Sequence, residues 1–108
     1  MEINLKFRKL NEEYNIVTNC GLLTCKGKKV VDDYAIVENW KTNTYSVTHI
    51  PSGLCVESGF LSLKDCKDKT EDCINRGIKY LKENPRRLKE FIEQYNRLLD
   101  GKIFANDI

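Results

Sequence analysis

The spacing of apolar residues changes character near residue 61. Upstream, apolar and polar positions alternate with period two. Ile3, Leu5 and Phe7 interleave with Asn4, Lys6 and Arg8, and this predicts a first strand. Asn11-Glu12-Glu13 reads as a turn, and residues 14–20 as its partner strand. A short Leu22-Leu23-Thr24-Cys25 segment follows, bracketed by Gly21 and Gly27. Residues 34–40, 45–50 and 54–60 complete an antiparallel meander of about five strands. Trp40 and Tyr45 are expected to pair across the Lys41–Thr44 turn.

Downstream the period becomes helical. Leu63, Cys66, Thr70, Cys73, Ile74, Ile78 and Leu81 recur at three- and four-residue spacing, which predicts one buried face. Ser62 and Asp65 fit the two ends of a capping arrangement. Asn84-Pro85 ends this helix and starts another, with Asn84 as cap and Pro85 in the first turn. Leu88, Phe91, Ile92, Tyr95, Leu98 and Leu99 form the second stripe. Gly101 is expected to stop it in the left-handed conformation. The expectation is therefore a single α+β domain over residues 1–108. It comprises a β-meander (1–60), a two-helix part (61–101) laid on one sheet face, and a tail (102–108).

Composition narrows the function. Against a length of 108 residues, the formal charge is only +2, low for a domain that tracks phosphates. No stretch resembles a signal peptide or a membrane span, so the five cysteines are expected as thiols in a cytoplasm. An odd number of cysteines also fits a closed disulfide framework poorly.

The stretch Tyr45–Phe60 holds the one histidine, with Cys55 on the other side of Pro51-Ser52-Gly53. Pro51 presets a turn and Gly53 accepts positive φ. A loop of even length places Val47 and His49 on one face with Leu54 and Val56, and sends Cys55 away from His49. This register keeps the apolar residues together and is the one expected. It disfavours a Cys/His nucleophilic pair, which would also need an orienting group and an oxyanion site. An enzyme using Cys55 or Cys25 is the weakest class.

Cys20 and Cys25 have the spacing of a zinc thiolate pair, and are the candidate metal ligands. On one continuous helix, Cys66 and Cys73 stand about 10.5 Å apart along the axis. Two sulfurs on one zinc must lie within about 4 Å, so both serve one ion only if the helix starts after Cys66. Otherwise they are small core residues and no cofactor is needed.

Lys26, Lys28 and Lys29 read as a basic loop. Arg86 and Arg87 sit in a helix's first turn, where the macrodipole favours acids. Charges placed against local preference, as Arg86 and Arg87 are, suggest binding, and with the basic loop they make Lys28, Lys29, Arg86, Arg87 and Lys89 the candidate binding residues.

The pattern from Trp40 through Val47-Thr48-His49, the Pro-Ser-Gly turn and Gly59-Phe60 into a helix resembles a recurrent pattern in small phage and mobile-element proteins. With its size and layout, the chain is similar to phage anti-CRISPR proteins. That resemblance implies a non-catalytic inhibitor that binds a bacterial defence protein, such as a CRISPR-Cas effector, and occludes nucleic-acid loading or activation. It supplies no shared active-site residues. The alternative is a small RNA- or DNA-binding module, suggested by a strand meander followed by a helix.

Overall fold

A computed structural model describes residues 2–18 and 21–104. The expected α+β class is present: a five-stranded antiparallel sheet in the order β1-β2-β3-β4-β5, followed by two helices packed against it. The strands are β1 (Glu12–Thr18), β2 (Gly21–Val31), β3 (Tyr34–Asn39), β4 (Thr44–His49) and β5 (Leu54–Phe60). The helices are α1 (Leu63–Glu83) and α2 (Pro85–Asp100).

Residues 3–7 do not form the first strand. They run as an extended arm, tied to β2 where the Asn4 N–H donates to the Val30 carbonyl at 2.7 Å. Phe7 is buried, and Ile3, Leu5 and Leu10 pack against the same core. Lys67 of α1 holds this arm, donating to the Phe7 carbonyl with its ammonium 4.4 Å from the ring centroid. The strand count is restored by β2. It is eleven residues long and absorbs the lysine run expected as a loop.

Alternation along β3 sends its side chains to two cores. Tyr34 and Ile36 join Val30, Val47, Cys66, Cys73 and Ile74 beneath α1. Ala35 and Val37 join Leu23 and Cys25 in a second cluster, with Tyr14, Ile16 and Ile50 against it.

α1 starts as its sequence predicts. Ser62 is extended, with φ −137° and ψ 154°, and its Oγ accepts the Asp65 N–H at 3.1 Å. Its inner face carries Cys66, Thr70, Cys73, Ile74, Gly77 and Leu81. Ile78, expected in that stripe, is 45% exposed. Gly77 takes the inner position, because a Cβ there would stand 2.9 Å from Val56 Cγ2 and 3.1 Å from the Tyr34 hydroxyl. α1 packs on β3, β4 and β5, and α2 packs on α1 and β2.

Pro85 opens α2, but Asn84 does not cap it. The Asn84 amide instead donates to the Tyr80 carbonyl at 2.7 Å and so closes α1. Gly101 stays right-handed at φ −82°, and Lys102 takes the left-handed position at φ 51°. The chain then turns so that Ile103 accepts the Leu22 N–H at 2.9 Å, and Phe104 bridges Leu22 in parallel.

Candidate binding surface

The β4–β5 turn has the expected parity. His49 pairs with Leu54 and Thr48 with Cys55 across a four-residue connection. Cys55 therefore leaves the face that carries His49. The even register does not continue along β5. A bulge sets Val47 opposite Glu57, and Val56 packs against the core beneath α1. Gly53 holds φ 73°, and a Cβ on it would come within 2.8 Å of Val17 Cβ, so the turn rests against β1.

His49 is an organiser of this turn. Its Nδ1 lies 2.7 Å from Ser52 Oγ, and the same oxygen accepts the Leu54 N–H at 3.1 Å. Its ring lies 5.0 Å from that of Tyr34, centroid to centroid. Burial pushes the imidazole below its ordinary range, partly offset by the Asp33 carboxylate. Ser52 is 3% exposed, so its hydroxyl braces the turn and presents little to solvent.

The buried thiols are held far from the thiolate state. Burial raises Cys25 to about 11, with Glu38 adding to it. Burial raises Cys66 to about 12, with smaller contributions from Cys73, Cys55 and Glu57. Cys73 also rises through burial, and Arg76 donates to its sulfur at 3.4 Å. A thiol this protonated near neutral pH is a weak nucleophile and a poor metal ligand until it loses its proton.

α1 runs unbroken from Leu63, so Cys66 and Cys73 share one continuous helix, the case in which one zinc cannot take both. Of the candidate zinc pair, Cys20 lies outside the described residues, and Cys25 faces the second core cluster. Among the described residues, no group of three or more His, Cys, Asp or Glu side chains converges.

The candidate basic residues fall into two sets. Lys28 and Lys29 lie in β2. Lys28 reaches Glu12 at 3.4 Å and the Asn11 carbonyl oxygen of its side chain at 3.3 Å, while Lys29 reaches Asp32 at 3.1 Å. Glu12 is the hub: it also accepts the Tyr14 hydroxyl at 2.7 Å and the Lys29 N–H at 2.8 Å. Those hydrogen bonds, Tyr14's first, lower its carboxyl below the ordinary range. Arg86, Arg87 and Lys89 lie exposed on α2, with Arg86 3.6 Å from Glu90 and the Arg87 guanidinium 6.0 Å from the Phe91 ring. Lys28 and Lys29 border one surface depression, and Arg86 and Arg87 another.

Trp40 was expected as Tyr45's cross-strand partner. Glu38 takes that place, and Trp40 is 49% exposed beyond the end of β3. Its indole N–H donates to the Thr24 carbonyl at 3.0 Å, and Lys41 lies 5.5 Å from its ring centroid. Residue type alone did not signal this exposure; its place at the start of the Lys41–Thr44 turn was the available clue.

No helix among the described residues is long and apolar enough to cross a membrane. No protein-family model matches the chain, and neither the curated proteins nor the solved structures yield a match.

Proposed function

We propose that the chain is a non-catalytic inhibitor of phage or mobile-element origin. It binds a bacterial defence protein, a CRISPR-Cas effector being the target to test first, and occludes nucleic-acid loading or activation. The observation that carries this reading is the outer helix. Leu88, Phe91, Ile92, Tyr95, Leu98 and Leu99 line one side of α2, yet none of them is fully buried. Arg86, Arg87 and Lys89 stand exposed beside this partly covered stripe. An apolar strip rimmed by charge is the usual anatomy of a protein–protein interface. The chemistry-bearing groups point the same way, since His49, Ser52, Cys25, Cys66 and Cys73 are engaged in packing and turn formation.

The test is a plating assay. Cells carrying an active CRISPR-Cas system and expressing this chain are challenged with a phage that the system targets. The reading expects restored plaque formation and co-elution of the purified chain with the effector. Arg86→Glu with Arg87→Glu should reduce both. Unchanged restriction by each effector type tested, with no co-elution, contradicts the proposal.

A nucleic-acid-binding role has one observation in its favour, the exposed Trp40 with Lys41 over its ring. Glu13 and Glu38 outnumber Lys26 around the depression beside that ring, which disfavours a phosphate backbone there. A gel-shift series against salt separates the two readings, because phosphate-driven binding weakens steeply as salt rises.

A further inference from the structure

We infer that a cavity beside α2 receives a cationic side chain, an arginine, from the protein partner. The inference deepens the proposed function and rests on it for the partner's class. The cavity measures about 360 Å³ and lies where α2 meets the β2–β3 and β4–β5 turns. Tyr14 of β1 and Tyr95 of α2 border it, with Ile50 and Pro51 from one turn, Asp33 from the other, and Tyr34 at the start of β3.

Its charge decides the ligand. Lys29 also borders the cavity, and it pairs with Asp32 at 3.1 Å on the exposed surface, so together the two add no net charge. Asp33 makes no ion pair with a described residue. The local balance is therefore one uncompensated carboxylate among tyrosines and aliphatic groups. Aromatic faces attract cations through their quadrupole. A guanidinium can stack on such a ring and direct its fork of N–H donors at a carboxylate. A leucine in the same place would desolvate Asp33 without giving it a partner, and an acidic side chain would be repelled.

Part of the lining is held in place before any ligand arrives. The Asp33 carbonyl accepts the Ile50 N–H at 2.8 Å, tying the two turns together. Asp33 itself sits at φ 68°, a left-handed position that Asp and Asn tolerate better than other side chains. Tyr14's hydroxyl is anchored on Glu12 at 2.7 Å, which sets its ring. A preformed site loses little ordering entropy on binding.

The experiment titrates the purified full chain with N-acetyl-arginine amide and follows backbone amide signals by NMR. N-acetyl-leucine amide and N-acetyl-glutamate amide serve as controls. The expected result is a saturable shift at Asp33, Tyr34 and Ile50 with the arginine probe alone. Asp33→Asn preserves the turn conformation and should weaken that binding about tenfold. Tyr95→Leu, on α2 and part of neither turn, should weaken it as well, and it carries the test if D33N disturbs the turn. Equal shifts with the leucine or glutamate probe, unchanged affinity in the variants, or no saturable shift would overturn the inference. None of these measurements involves the defence target, so a failed cavity and a failed inhibitor role are read separately.

Discussion

α1 and α2 carry apolar stripes of similar spacing, yet α1 buries Cys66, Thr70, Cys73, Ile74, Gly77 and Leu81, and α2 buries no residue fully. The cause is what lies opposite each helix. α1 meets the concentrated apolar surface of β3, β4 and β5, where Ile36 and Val47 are fully buried. α2 meets α1 and part of β2, and its stripe is covered only in part. Periodicity shows that a helix has an apolar side; only the partner surface decides how much of that side is covered. The difference assigns the sealed core to α1 and leaves α2 the less deeply buried of the two helices.

The largest expected effect is in the core. Ile74→Ala should cost about 3 kcal/mol, because the site is sealed and cannot collapse freely. Phe91→Ala, at the partly covered stripe of α2, should cost less, about 1–2 kcal/mol. Denaturant unfolding measures both, and equal losses would break the contrast between the helices.

Gly77→Ala comes next. Helix propensity favours alanine by about 1 kcal/mol. The new methyl must displace Val56 or Tyr34, at an overpacking cost of about 2 kcal/mol. The net should be a loss of about 1 kcal/mol, visible as a lower thermal midpoint. A gain would mean that α1 sits less tightly on β5 than these distances indicate.

A smaller effect follows pH. His49 titrates below its ordinary value in the folded chain, so the unfolded chain holds more protons as acid is added. Its contribution is complete above the unfolded pKa of about 6.5 and is lost as pH falls through the lower folded value. Stability should therefore decline on acidification below about pH 6.5, and His49→Asn should flatten that part of the profile. An unchanged profile would remove His49 as its source.

Thiol chemistry sharpens the comparison without changing stability. Of the four described cysteines, exposed Cys55 should be alkylated first under native conditions, with Cys25, Cys66 and Cys73 protected until unfolding. Peptide mapping after a short iodoacetamide pulse gives the order, and early modification of Cys66 would show that α1 opens readily.

Much of this architecture was legible in the sequence, for physical reasons that differ by element. Ser62 and Asp65 mark the start of α1 because an orphan N–H there needs a nearby acceptor. The pairing of His49 with Leu54 follows from the parity of a Pro-Gly turn. The arm at Ile3, Leu5 and Phe7 was misread as a strand because an extended segment lying on a core shows the same alternation as a paired one. The run Lys26–Lys29 looked like a loop by charge, but a strand can carry lysines when Glu12 stands close enough to pair with Lys28. Gly101 was the natural left-handed residue, yet the return of Ile103 to Leu22 places that conformation on Lys102.

Of the candidate surface, the basic residues of α2 were visible from their unfavourable place in its first turn. The cavity beside Tyr95 was not. It combines β1, two turns and α2, segments separated in sequence by up to the whole length between Tyr14 and Tyr95. No local pattern encodes that meeting.

Native-state hydrogen exchange, read amide by amide, tests the unequal roles of the helices most directly. Interior amides of α1 should exchange only through global unfolding, while those of α2 should exchange at least about tenfold faster through partial opening. Equal protection along both helices would contradict the account, since α2 would then be as firmly held as the helix that seals the core.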